Sequence, residues 1–330
     1  MNRVFAIGSL LFVVASGLDM PPLDDHVCLD VGWVAQGNSF VYQGKRKQPL
    51  SPARTFYKND YPYFLAHILR KYETVYLRGT MHPNAQTWWA NLMAGSPDDY
   101  SGIEILHFTG EMRWSYTDVR SRTSDWHSHY KVGCPFAPGK PFDIRIRALE
   151  DSFEIRYNHH LAVNHEYTLP LNMVRYVRMV RDLTLDRAYV GGQKFAIPYR
   201  IELPEGRFEI GDSIKLNAVP IENEMRISLM NVNQSATMEF KIQLNGKYAS
   251  RNTENNGYWG NEERGGGFPF EKNVEFELDI ENAQHGLLFS VNGNRFATYM
   301  HRVRDPEGEY MTLQITGQIE PTLLAYCKGK

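Results

Sequence analysis

The feature that most constrains this chain is one set of spacings that occurs twice. Pro135-Phe136 is followed six residues after Phe136 by Phe142, and Asn158 comes sixteen residues after Phe142; Pro269-Phe270 leads by the same two intervals to Phe276 and Asn292. Upstream, Trp126 precedes Pro135 by nine residues and Trp259 precedes Pro269 by ten, while Asn91-Leu92 and Ser228-Leu229 open the corresponding strands. Self-similarity at this separation means two copies of one unit. A chain of 330 residues has room for both, since a domain with its own core needs about 100 to 150.

Each copy reads as β-structure. Short apolar-polar alternations are broken by Gly, Pro, Asn and Asp roughly every 8 to 12 residues, and helical periodicity is hard to find anywhere. Phe142, Ile144, Ile146 and Ala148 share one strand face while Asp143, Arg145 and Arg147 share the other; Val274, Phe276, Leu278 and Ile280 alternate in the same way with Glu275, Glu277 and Asp279. Both strands are expected to be half-buried, polar face to water. Glu150-Asp151-Ser152 then turns the first into Phe153–Tyr157 as a hairpin. The expected architecture is all-β: two β-sandwiches in tandem, residues 61–187 and 199–330, joined by a linker at 188–198 where Gly191-Gly192 and Pro198 interrupt the alternation.

Residues 1–17 have the composition of a secretory signal, with a basic start at Arg3, an apolar run from Val4 to Ala15, and small residues Ala15, Ser16 and Gly17 for cleavage. That run of about 12 residues is too short to span a hydrocarbon core of roughly 30 Å, and no later segment is continuously apolar for the roughly 18 residues a span needs, so the expectation is a secreted protein without membrane insertion. Residues 18–60 are rich in Pro, Asp and Lys and read as an extended N-terminal arm. In an oxidising compartment the three cysteines allow one disulfide; Cys28 and Cys327 flank the folded region and are the expected pair, with Cys134 a small buried residue. Asn233-Gln234-Ser235 is a glycosylation sequon. A net charge of -2 supplies no field that would hold nucleic acid or an anionic membrane.

The second copy carries Asn252-Thr253, then Trp259-Gly260-Asn261-Glu262-Glu263-Arg264, Phe268-Pro269-Phe270, Val291-Asn292-Gly293, His301-Arg302 and Leu313–Gly317. On these residues it resembles a galectin carbohydrate-recognition domain, and the pair resembles the tandem-repeat galectins. The resemblance implies a jelly-roll-like sandwich of two antiparallel sheets, no metal or other cofactor, and glycans or glycoconjugates, glycoproteins among them, as partners. The chemistry agrees. A galactose ring has one face of C–H bonds and a rim of hydroxyls, so a selective site needs an exposed indole and fixed donors and acceptors. Trp259 supplies the ring, Asn252 donates and accepts, Glu262 accepts, and Arg264, two residues on and therefore on the same strand face, braces Glu262 while donating to the sugar. The alternative is a core Trp259 beside a surface ion pair of Glu262 and Arg264, contributing about 0 to 1 kcal/mol.

The departures from the family pattern matter as much. Galectins that bind β-galactosides carry His, Asn or Ser, and Arg at alternate positions of the strand before the Asn; here those positions hold Glu239, Lys241 and Gln243. Lys241 and Gln243 remain able to bond a sugar, but the selectivity expected is not the standard one. The first copy is a degenerate domain with a possible second site: His107 keeps the first triad position, Thr109 and Glu111 follow, Trp126 is the stacking ring, and His129 and Lys131 replace the carboxylate and guanidinium. His127, His129 and His159-His160 lack the accompanying Cys or carboxylate spacing of a zinc site. Gly265-Gly266-Gly267 leads into Phe-Pro rather than a helix, so it is not a phosphate cradle, and no nucleophile motif is present. The expected function is a non-enzymatic, secreted lectin; the alternative is a galectin-fold protein-interaction module that has lost its sugar site.

Overall fold

The computed structural model describes residues 68–95 and 103–329 throughout, with the strand backbones at 27–30, 34–36, 39–41 and 62–64. The signal-like segment 1–17 and most of the arm lie outside the described residues. Strands β1 (Val27–Asp30), β2 (Val34–Gln36) and β3 (Ser39–Val41) come first. The first sandwich follows with β4 (Pro62–Phe64), β5 (Thr74–Met81), β6 (Thr87–Met93), β7 (Glu104–Glu111), β8 (Tyr116–Arg122), β9 (Trp126–Gly133), β10 (Pro141–Ala148), β11 (Ser152–Tyr157), β12 (His160–Glu166), β13 (Tyr176–Arg181) and β14 (Leu183–Gly191). One layer has the order β4-β13-β6-β7-β8-β9 and the other β12-β11-β10-β5-β14. Period-2 alternation sends Trp88, Phe108, Phe142 and Phe153 between the layers, where each large buried side chain contributes about 1.5 to 3 kcal/mol.

The second sandwich comprises β15 (Tyr199–Glu202), β16 (Ser213–Met230), β17 (Ala236–Gln243), β18 (Tyr248–Asn252), β19 (Glu254–Asn255), β20 (Tyr258–Trp259), β21 (Phe276–Ala283), β22 (Gly286–Val291), β23 (Asn294–Met300) and β24 (Thr312–Lys328). β16 and β24 run through both layers, and their register shifts between Pro220 and Met225, where a proline without an N–H cannot continue the ladder. Beyond that bulge β16 pairs with β17; before it, with β21. Phe240, Phe276, Phe289 and Tyr299 fill the core between the layers.

The arm joins the second sandwich, where β1 pairs with β24, while β4 opens the first sandwich by pairing with β13. Cys28 stands opposite Cys327 in that register, Cys327 is disulfide-bonded, and Cys134 is a free buried thiol.

One expectation is overturned at the junction. The polar face of β10, read as water-facing, is covered by the second sandwich: Arg145 is 1% exposed, and Asp143 and Arg147 are buried with it. Arg145 Nε and Nη2 donate to Asp143 at 2.9 and 2.8 Å, Nη1 to Glu275 at 2.8 Å and Nη2 to Glu277 at 3.0 Å. Arg78 also bonds Glu277, Arg147 reaches Glu320 at 2.6 Å, and Arg156 donates to the Asn273 carbonyl at 2.8 Å. A guanidinium leaves water only when its donors find such partners. Burial alone would raise the Asp143 carboxyl, but the hydrogen bond and charge of Arg145, with Arg78, hold it down at about 2. The sandwiches therefore meet back to back, through the layer containing β5 and β10 in one and through β21 and the adjoining halves of β16 and β24 in the other.

Candidate functional site

Each sandwich keeps its other layer facing outward, and the residues singled out in the sequence lie on those faces. In the first, alternation along β7 turns Phe108 into the core and His107, Thr109 and Glu111 out onto the lining of an open groove of about 520 Å³. Trp126, at the start of β9, is opposite Arg122 and 45% exposed. Its ring centroid is 4.9 Å from that of His107, and the guanidinium carbons of Arg120 and Arg122 stand 5.0 and 5.2 Å from the indole. His107, Thr109 and Trp126 thus come together in one groove.

The walls come from residues that sequence reasoning did not single out. Register places Arg178, Asn91, His107 and Arg120 in one row across β13, β6, β7 and β8. Trp89, Thr87, Val180 and Arg181 line the neighbouring part. Alternation of Asp118, Arg120 and Arg122 on β8 was a legible signal; Asn91 and Arg178 needed the strand order. Glu104 accepts from Arg122 at 3.0 Å and faces His107 Nδ1 at 2.8 Å, while His107 Nε2 lies 2.6 Å from the Thr109 hydroxyl. Asp118 holds Arg120, and His129 Nε2 stands 2.6 Å from it. Lys131 extends over the Tyr116 ring instead, 4.9 Å from its centroid.

In the second sandwich Glu239 is directly opposite Asn252, Lys241 opposite Ser250 and Gln243 opposite Tyr248, so these side chains share one face of β17 and β18. Trp259 sits in the short β19–β20 hairpin, 48% exposed, beside the more exposed Tyr258. Asn252 Nδ2 donates to the Gly260 carbonyl at 2.9 Å; its Oδ1 accepts from Thr253 N at 2.9 Å and from Arg302 Nη1 at 3.2 Å. Arg302 also donates to the Asn261 carbonyl and to Glu263, each at 2.7 Å, and so clamps the loop after Trp259; the sequence marked Arg302 as part of the family pattern but not for this role.

Glu262 accepts from Arg264 and from Lys241 Nζ at 3.3 Å. Partial burial would raise its carboxyl, but the Arg264 hydrogen bond and the Lys241 charge hold it below the usual range. Arg264 also stacks 4.0 Å from the Tyr248 ring centroid. Gln243 bonds Glu224, which accepts from Arg226 at 2.5 Å; Glu239 is 3.9 Å from Arg226 and pushed up by burial. Asn252, Glu262, Arg264, Lys241 and Gln243 are thus gathered around one face with Trp259 in the adjoining hairpin, and the two cations Lys241 and Arg264 share the single carboxylate of Glu262.

His127 Nε2 pairs with the Thr123 hydroxyl at 2.9 Å, and His159 lies at the junction, 3.3 Å from Arg145 Nη2. Among the described residues no group of three or more His, Cys, Asp or Glu converges as metal ligands would.

Comparison with known proteins matches a "Galactoside-binding lectin" family model twice, at residues 60–190 and 198–323. A "32 kDa beta-galactoside-binding lectin" of Caenorhabditis elegans is 31% identical over 252 residues, covering 75% of this chain and 89% of that protein. Its namesake in Haemonchus contortus is 31% identical over 274 residues, 81% of this chain and 95% of that one. "Galectin-4" of Sus scrofa is 21% identical over 294 residues, 76% of this chain and 90% of that protein.

Proposed function

The chain belongs to the galactoside-binding lectin family as a tandem of two galectin domains, and we propose that it is a secreted lectin that takes glycans in both outward faces without standard β-galactoside selectivity. The observation that carries this reading is the pair of half-exposed indoles, Trp126 and Trp259, each standing beside a strand face set with amides, carboxylates and guanidinium groups. An indole left in water forgoes burial, and stacking on the C–H face of a sugar recovers part of it. The hydroxyl rim then exchanges with polar groups already held in place, which limits the ordering cost of binding.

Glu239 directly opposite Asn252 supports altered selectivity. A carboxylate can only accept where family members that bind β-galactosides carry a histidine. In the first sandwich His107 keeps that place, with Arg120 across from it.

The second sandwich also favours a second reading. Lys241 and Arg264 both bond Glu262, and Arg226 and Gln243 both bond Glu224, so a sugar there would have to displace bonds already made. This face fits a protein-contact surface whose saccharide site has closed. The test is a glycan array probed with the full chain and with Trp126→Ala and Trp259→Ala. Under the lectin reading each substitution removes the signals of its own sandwich. Signals that survive Trp259→Ala undiminished but vanish with Trp126→Ala assign sugar binding to the first sandwich alone. An array unchanged by either substitution rejects both sites.

A further inference from the structure

Resting on the reading of the first groove as a saccharide site, we infer that its ligand is an acidic saccharide, a sulfate- or carboxylate-bearing sugar whose neutral ring stacks on Trp126 and whose anion is taken by Arg178. Arg178, Asn91, His107 and Arg120 occupy one cross-strand row, so three inter-strand steps, about 14 Å, separate its ends. Trp126 stands at the Arg120 end, within ring contact of His107. A single sugar stacked there leaves the β6 and β13 end of the row uncovered.

That end is built for a ligand with both a hydroxyl and a negative charge. Asn91 is 4% exposed, yet its Oδ1 has no hydrogen-bond partner while lining the groove. A buried carbonyl oxygen left without a donor costs about 1 to 3 kcal/mol, and a sugar hydroxyl is a donor that would relieve it. Beside it, Arg178 has no carboxylate partner among the described residues, whereas Arg120 and Arg122 are matched to Asp118 and Glu104. Arg181, on the same strand, lies 4.1 Å from the Trp89 ring centroid and donates to the Thr87 hydroxyl at 3.4 Å. Glu111, the lining carboxylate without a cationic partner among the described residues, is four residues further along β7 than His107, opposite Thr87. Free inorganic anions would leave Trp126 and Asn91 Oδ1 unsatisfied, and neutral sugars would leave Arg178 unmatched. A guanidinium fork binds sulfate and carboxylate alike, so the charge rather than its chemical form is what the groove reads.

The experiment is calorimetric titration of the full-length Trp259→Ala chain, so that the first groove is read by itself, with lactose, 3′-sulfated lactose and 3′-sialyllactose. The acidic probes are expected to bind at least about tenfold more tightly than lactose at low salt, with the preference shrinking as salt is added. Arg178→Gln should bring the ratio of acidic to neutral affinity close to one, Arg178→Lys should retain part of it, and Trp126→Ala should weaken all three probes together. A preference for the sulfated probe alone narrows the ligand to sulfate esters. Equal affinity for all three probes, or a preference that survives Arg178→Gln, overturns the inference while leaving the saccharide reading intact. Failure of every probe to bind overturns both.

Discussion

Replacing Arg145 with methionine keeps most of the side-chain volume at the junction between the sandwiches and removes the charge. The guanidinium, 1% exposed, makes four charge-assisted bonds to Asp143, Glu275 and Glu277. Counting each bond at about 1.5 to 3 kcal/mol would suggest 6 to 12, but those bonds are offset by the dehydration of all three carboxylates. What the substitution exposes is a buried, uncompensated Glu275, whose side chain is 3% accessible, and stripping one partner from such a cluster costs about 3 to 5 kcal/mol. Urea unfolding should show a loss of that size, and calorimetry should show two transitions where a single one is expected of the parent protein, because the contact between sandwiches weakens while each core is untouched. Adding Glu275→Gln and Glu277→Gln should restore much of the loss. A change below about 1 kcal/mol with a single transition retained would refute the assignment of cohesion to this cluster.

Asp143 supplies a pH counterpart: its carboxyl is held down at about 2 against an unfolded value near 3.8, so its contribution is complete above about pH 4 and is lost as pH falls through about 2, and Asp143→Asn should flatten acid unfolding there. His165 titrates in a different window. It is fully buried with the Ser121 hydroxyl 2.7 Å from Nε2, and desolvation lowers it to about 4; stability should therefore decline as pH falls from about 6.5 towards 4, and His165→Gln should remove that slope in pH-dependent melts. Gly110 faces buried Trp88, and an added Cβ would sit 1.9 Å from the indole nitrogen, so Gly110→Ala should cost about 1 to 3 kcal/mol in urea unfolding and disturb the floor of the first groove. Lactose should compete weakly with array glycans held by the second sandwich, given Glu239, Lys241 and Gln243 at the positions that read the galactose hydroxyls; full displacement at millimolar lactose would contradict this.

The two cores were legible because their signal is local. Phe142, Ile144 and Ile146 declare a strand by period, and the duplicated intervals declare a second sandwich without any knowledge of contacts. The same period misled on the far side of β10. Asp143, Arg145 and Arg147 look water-facing in sequence, and only the packing of a surface some 130 residues downstream covers them. Long-range register set the limit at the groove too. His107, Thr109 and Trp126 follow from spacing on strands that succeed one another along the chain, β7 to β9, but Arg178 reaches the row through β13, which returns to pair with β6 and is invisible to any count of neighbours along the chain. In the second sandwich the residue types around Trp259 were readable, whereas the sharing of the Glu262 carboxylate between Lys241 and Arg264 depends on rotamers that alternation does not specify.

Back-to-back packing makes this protein a rivet rather than a hook. Stacked in order are an outer sheet, two inner sheets fastened by Arg145, and another outer sheet, so the two indole-bearing surfaces point away from each other across roughly 30 Å of protein, three sheet-to-sheet spacings. Chains loaded at both ends would depart in opposite directions. If both faces take glycans as proposed, such a particle would pin one sugar-coated layer to another, yet it could not straddle two sugars planted side by side on the same layer.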